Sequence, residues 1–167
     1  MSGGISNYSF GNTPSDDAKK LQWVKIKDGD KTLLICDRVI LVNVTWNDLN
    51  SAGWIFGKEV NIDSAKYKLR SLTGGSNYRG GDAYAGGTPT NNEWDRFVTR
   101  EEVITGLPAP VSSDLDSNFN STDLSSAHNQ LWNWMGVYTW CQETYSSNTS
   151  LRAIRGCYSC LLYTSPS

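Results

Sequence analysis

Few residues in this chain could carry chemistry. His128 is the only histidine, so a histidine triad or multi-histidine metal site would rest on it alone. Beside Asn129 it reads as structural. The cysteines are Cys36, Cys141, Cys157 and Cys160. The last two have C-x-x-C spacing, but no second pair completes a zinc site, and reduced structural thiols are expected. Asp114, Asp116, Asn118 and Asn120 alternate like a calcium loop, yet Phe119 stands where an EF-hand needs glycine and Ser125 where it needs glutamate. That segment is read as Asx turns and caps, with a calcium site of another kind in the acidic loop 112–123 as the alternative. The run GGSNYRGGDAYAGG, within 74–87, has neither G-x-x-x-x-G-K-S/T nor a strand–GxGxxG–helix setting, so it is read as an exposed flexible loop and not a phosphate cradle.

Aromatic surface is plentiful instead. The chain has seven Trp and eight Tyr, and Trp132, Trp134 and Trp140 cluster with Tyr138 and Tyr145 in one short stretch. Rigid amphipathic rings among Asn, Ser, Thr and Gly suit a recognition surface, because they give contact area at low entropic cost. Most of the tryptophans are expected to fill the core. Charged residues make up 19% and the net charge is -2, which leaves no basic field for a nucleic-acid backbone and no polybasic membrane patch. There is no apolar run of about 18 residues, so no transmembrane helix or membrane insertion is expected. The N-terminus also lacks the basic and apolar regions of a signal peptide.

The elements that must hold these residues are short. At 167 residues the chain suits one domain. Residues 1–20 are polar and glycine-bearing and read as a flexible lead-in, with order starting near Leu21. Gln22–Lys27 and Thr32–Ile35 flank Asp28-Gly29-Asp30 as a hairpin, and Arg38–Val44 reads as a buried strand. Thr45, Asp48 and Gly53 supply the start and stop of a short helix with Trp46, Leu49 and Ala52 on one face. Glu59–Ile62 and Lys66–Leu72 form a second hairpin across Asp63-Ser64-Ala65. Thr90 and Glu93 have capping-box spacing ahead of an apolar face of Trp94, Phe97 and Val98. Ser126–Trp134 is read as leading, through a short helix, into a strand in which Val137, Thr139 and Cys141 alternate with Tyr138, Trp140 and Gln142.

Two motifs then point to a family. The run W-N-W-x-G-x-Y-x-W-C-Q-E from Trp132, followed by R-A-x-R-G-x-Y-S from Arg152, resembles the C-terminal half of C-type-lectin-fold proteins of phages and prophages. These include the variable ligand-binding proteins of diversity-generating retroelements, and they are distantly related to the formylglycine-generating (sulfatase-modifying) enzymes. Leu33–Asp37, Thr45–Gly57, Lys66–Gly75 and Pro89–Phe97, which holds the P-T-x-x-E-W helix, extend the resemblance over most of the chain from about Leu21. The implied fold is α+β: a C-type-lectin-like domain over 21–159 with short antiparallel strands, two or three short helices on a common sheet, and long irregular loops. The family's closing G-F/W-R-P strand has no counterpart here. Residues 160–167 read like a translated sequencing adapter, so they are set aside as a non-native tail and the natural chain is expected to continue further.

The resemblance implies a non-catalytic binding domain of a phage or prophage structural (tail-fibre-like) or surface protein. It would sit on the virion or the bacterial surface, with a host cell-surface glycan or protein as partner, in a homotrimer if it tips a fibre. Ligand-binding candidates are Trp134, Met135, Tyr138, Tyr145, Asn148 and Tyr158. Core candidates are Trp132, Trp140 and Ile154, with Arg152 and Arg155 tying loops through backbone carbonyls. No cofactor is expected, with calcium the alternative. Trp46-Asn47-Asp48 spells the calcium signature of sugar-binding lectins, but it lies early and opens a helix, which favours capping over a calcium-dependent lectin. The other alternative is a formylglycine-generating-enzyme-like oxidoreductase, for which Cys141, Arg155 and Cys157 make a poor set once Cys160 is set aside.

Overall fold

A computed structural model of the protein describes residue 5, residues 8–80, 86–99, 101–107 and 138–156, and the backbone of 160–164. Strands β1 (Trp23–Asp28) and β2 (Lys31–Cys36) pair antiparallel across a turn in which Gly29 takes φ 57°, a conformation that costs glycine nothing. The expected strand over 38–44 does not form. Val42 is 73% exposed and Asn43 turns left-handed at φ 56°, which asparagine tolerates and an extended strand does not.

Helix α1 (Trp46–Ser51) starts as its sequence predicts. The Asp48 amide donates to Thr45 Oγ1 at 3.0 Å and the Thr45 amide donates back to the Asp48 carboxylate at 3.1 Å. Trp46 is buried and Leu49 and Ala52 half-buried, so the expected apolar face is the one that packs. Strands β3 (Lys58–Ile62) and β4 (Ala65–Leu69) follow, joined by Asp63 and Ser64, both at positive φ as a tight two-residue hairpin turn requires.

The lead-in over 1–20 is in part built into the domain. Tyr8 and Phe10 stack edge-on against Trp54, with ring centroids 5.8 and 5.7 Å away, and the amide of Thr13 donates to the Asp63 carboxylate at 2.9 Å. A glycine-rich, polar stretch hid two aromatic anchors.

The run over 74–87 is not an exposed loop at its base. Asn77–Tyr78 (β5) pairs with Gly87–Thr88 (β6), and Gly74, Gly75, Gly86 and Gly87 are buried because two backbones cross there. A Cβ on Gly75, at φ +88°, would lie 2.8 Å from Gly87 Cα. Gly75→Ala is therefore expected to destabilise by about 2 kcal/mol or more, through both strain and overlap. Urea denaturation should show the lowered midpoint.

Trp94–Val98 forms a single π-helical turn with Trp94, Phe97 and Val98 buried, as the apolar pattern predicts. Its start differs from expectation. Thr90 makes no cap; Thr73 takes that part, accepting the Glu93 amide at 2.8 Å while its own amide donates to Glu93 Oε2 at 3.1 Å. A hydroxyl brought in by tertiary contact displaced the local one.

Strand β7 (Thr139–Tyr145) pairs with β8 (Asn148–Gly156), and β8 with β9 (Cys160–Thr164). The segment set aside as a tail thus supplies a third strand. Backbone pairing asks only for β-compatible residues, which Leu161, Leu162, Tyr163 and Thr164 are. The core joins Ile26 and Ile35 of the first hairpin to Trp94, Phe97 and Val98 of the π-turn and to Cys141 and Ala153 of β7 and β8. The architecture is α+β with short antiparallel strands, but they form four separate sheets among the described residues and not one common sheet. The helical turn at 94–98 packs against residues of two of these sheets, while α1 reaches β7 through the hydrogen bond from Trp46 Nε1 to the Cys141 carbonyl. Among the described residues no helix is long and apolar enough to cross a membrane.

Candidate functional site

The β7–β8 pair is irregular where it matters. The step from Trp140 to Thr144 on β7 faces the shorter step from Ile154 to Arg152 on β8, so β7 bulges at residues 141–143. Bulges break the in–out alternation and re-aim side chains. Consecutive residues Gln142, Glu143 and Thr144 consequently line one open cleft of about 340 Å³, together with Trp46, Phe56 and Ser76.

Each wall is fixed from behind. Trp46 Nε1 donates to the Cys141 carbonyl at 3.0 Å, and the Arg152 guanidinium lies over its ring, 4.3 Å from the centroid. Phe56 stands edge-on to Trp46 at 6.1 Å and remains 56% exposed. Gln142 Nε2 donates to the Ser71 carbonyl at 2.7 Å, and Glu143 Oε2 accepts the Gly74 amide at 2.9 Å. Beside the cleft, the Ser146 amide donates to the Ser76 carbonyl at 2.8 Å and Tyr145 leans on Tyr78 with centroids 5.8 Å apart.

Two carboxyls here titrate in opposite senses. Burial pushes Glu143 above its ordinary value, only partly offset by backbone amides including that of Gly74. Burial also pushes Glu93 up, but the Arg70 side chain, which grips it at both oxygens, and the Thr73 amide carry it below the ordinary value. A raised carboxyl favours the fold fully below its unfolded value and loses that contribution as pH climbs through the folded one. A depressed carboxyl favours the fold above its unfolded value and loses that as pH falls through the folded one. Glu143→Gln should therefore gain stability relative to the parent between about pH 4 and about pH 7, and Glu93→Gln should lose it over the same span. Urea melts at both pH values check the two signs.

The predicted residues divide. Tyr138 is 52% exposed, at the start of β7, and Tyr145 and Asn148 flank the turn at its other end, roughly 20 Å away along the strand. Tyr145 is half-buried against Tyr78, and Asn148 Oδ1 accepts the Ser150 amide at 3.0 Å, shaping the turn. The three do not form one patch. Trp134, Met135 and Tyr158 lie outside the described residues, as do Trp132, His128, Cys157 and the acidic loop 112–123.

Of the core candidates, Ile154 is buried, whereas Trp140 is half-buried with Nε1 donating to the Val44 carbonyl at 3.0 Å. Arg152 does donate to backbone carbonyls, those of Thr149 at 2.6 Å and Leu151 at 3.2 Å, but both lie in its own strand β8, so these bonds tie no loops together. Among the described residues Arg155 binds no carbonyl; fully buried, it pairs through Nη2 with the equally buried Asp95. Asp95 in turn accepts the Gly87 amide at 2.8 Å and Asn92 Nδ2 at 2.6 Å. Sequence reading missed Asp95, although a carboxylate inside the apolar Trp94-x-x-Phe97-Val98 face was the available signal. It also missed Phe56 and the Gln142-Glu143 pair as cleft residues.

Asp48 spends its carboxylate on capping Thr45, so the Trp46-Asn47-Asp48 triplet serves the helix. Cys141 is fully buried, and burial holds its thiol well above the ordinary range, the state of an unreactive thiol. Among the described residues no three His, Cys, Asp or Glu side chains gather as a metal-binding group. A larger hollow, about 650 Å³, runs between Val24–Lys27 and Ile104–Leu107 and contains none of the predicted residues. Comparisons of the chain with family models, with curated proteins and with solved structures found no match.

Proposed function

We propose that this chain is a non-catalytic binding domain of C-type-lectin type. It would be carried by a phage or prophage structural protein or a bacterial surface protein, and it would recognise a host cell-surface glycan or protein. The observation that carries the reading is the bulge in β7, which turns three consecutive polar residues into an aromatic-walled cleft beside the β7–β8 turn. A Trp46 ring held by the Cys141 carbonyl and the Arg152 guanidinium, with Phe56 packed edge-on against it, makes a preorganised contact surface, which lowers the entropic cost of holding a partner. The W-N-W-x-G-x-Y-x-W-C-Q-E resemblance supports the same reading, and Gln142 and Glu143 are its final two residues.

Binding should separate from stability at this face. Phe56→Ala and Thr144→Val, at two residues that line the cleft, are each expected to weaken attachment of the labelled protein to intact bacterial cells severalfold, with stability lowered by no more than about 1 kcal/mol. Equal losses of stability and attachment would mean that these side chains serve the fold and that the reading is wrong.

A further inference from the structure

We propose that the outer edge of strand β1 is a docking edge for an extended acidic peptide of a partner protein, which adds to the β1–β2 hairpin as a third strand. This surface is separate from the cleft and independent of what the cleft binds. The hollow of about 650 Å³ lies along it: Val24–Lys27 form one wall and Ile104–Leu107 the other, and no described residue of β2 lines it. Four strand residues run about 13 Å, enough to seat a short extended chain.

Backbone phase decides what this edge offers. Gly29 and Asp30 form a two-residue turn, so the flanking Asp28 and Lys31 exchange both backbone bonds, and bonded pairs recur at every second position. Ile26–Leu33 and Val24–Ile35 are therefore bonded pairs, and the Asp37 amide, donating to the Gln22 carbonyl at 3.1 Å, keeps the same phase. Lys25 and Lys27, opposite Leu34 and Thr32, turn their N–H and C=O groups away from β2 and toward the hollow. Neither makes a backbone bond on that side among the described residues. A strand edge with unmet donors and acceptors is where an extended peptide adds, its main chain supplying the bonds.

Side chains then choose the occupant. Ile26 is buried and Val24 half-buried toward the core, where Ile104 and Leu107 also pack, so an added strand places apolar residues on that face. Lys25 and Lys27 are exposed on the other face, and their cross-strand neighbours Leu34 and Thr32 carry no charge. Among the described residues neither lysine joins an ion pair, and Asp28, the one acid of β1, is engaged by Arg96 at 2.7 Å. Carboxylates set directly opposite these lysines meet two unneutralised ammoniums, whereas a second copy of β1 sets lysine against lysine. The edge therefore turns away its own kind and admits an acidic strand.

The test is calorimetry and ¹H–¹⁵N NMR on the full chain with the blocked synthetic peptide E-V-E-V-E-V, its counterpart K-V-K-V-K-V, and an N-methylated E-V-E-V-E-V that keeps the charge and loses the N–H donors. The acidic peptide is expected to bind with Kd on the order of 100 µM. Shifts and slowed exchange should appear at the Lys25 and Lys27 amides, with little change at Val24 and Ile26, which β2 already holds. The double variant Lys25→Glu/Lys27→Glu, at exposed positions, should weaken the acidic peptide roughly tenfold and take up the lysine peptide instead, with its unfolding midpoint little changed. No binding, equal binding of the acidic and lysine peptides by the parent, or undiminished binding of the N-methylated form would overturn the proposal. So would Lys25 and Lys27 amides that exchange slowly in the free chain, which would mean that its own residues fill the hollow, or protection that grows with protein concentration, which would mean a second copy. Loss of the peptide in Phe56→Ala would place it in the cleft and overturn the proposal as well, whereas unchanged affinity there keeps the two surfaces distinct.

Discussion

Asp95→Ala is expected to cost about 3–5 kcal/mol of stability, because it leaves the fully buried Arg155 guanidinium without its counter-charge. It also orphans the Gly87 amide and the Asn92 side chain, which Asp95 Oδ2 now satisfies at 2.8 and 2.6 Å. For a chain of this size the melting temperature should fall by roughly 6–20 °C. Arg155→Ala should do comparable damage, since it strands the carboxylate instead. The double variant Asp95→Ala/Arg155→Ala should lose clearly less than the two single losses combined, because neither charge is then left alone. Additive losses would show that the pair is not the unit holding the π-turn, the glycine crossing and β8 together.

The second large effect concerns which tryptophan the core depends on. Trp94 is fully enclosed among Phe97, Val98, Cys141 and Ala153, so Trp94→Ala is expected to cost about 3–5 kcal/mol as a cavity. From sequence that penalty falls on Trp140, at the centre of the aromatic run. The structure leaves Trp140 half-buried with one hydrogen bond to Val44, so Trp140→Ala should cost about 1–3 kcal/mol, from partial burial and that bond. Chemical denaturation of both variants orders them; a larger loss at 140 would mean that the core is centred on β7 and not on the π-turn.

Local rules were legible wherever neighbours in sequence decide the outcome. The hairpins at 23–36 and 58–69 follow from their turn residues, and α1 follows from Thr45 and Asp48, whose reciprocal bonds need nothing from outside the helix. The apolar face of Trp94, Phe97 and Val98 was readable from spacing. Where a distant partner decides, reading failed. Thr73 displaced Thr90 as the cap of Glu93 across 20 residues, and Asp95 claimed Arg155 across 60. The glycines at 74–75 and 86–87 suggested looseness, but they are small because backbone passes against backbone.

The site was partly legible for the same reason. Tyr138, Tyr145 and Asn148 are surface-directed in different degrees, yet strand geometry sets Tyr138 apart from the other two. The cleft depends on a bulge, and a bulge is a mismatch between β7 and β8 that neither strand's own pattern records. Its far wall, Trp46 and Phe56, comes from some ninety residues upstream, as the Trp46–Cys141 bond at a separation of 95 shows. Alternation along β7 predicted that Gln142 and Glu143 face opposite ways.

The most direct test of the account is to pass the chain over extracts of bacterial surface glycans and proteins, elute what it retains, and weigh the ligand before and after. The account predicts saturable retention of a surface component whose mass does not change. A ligand returned with altered mass, above all a cysteine-bearing peptide oxidised only when copper is supplied, would contradict it.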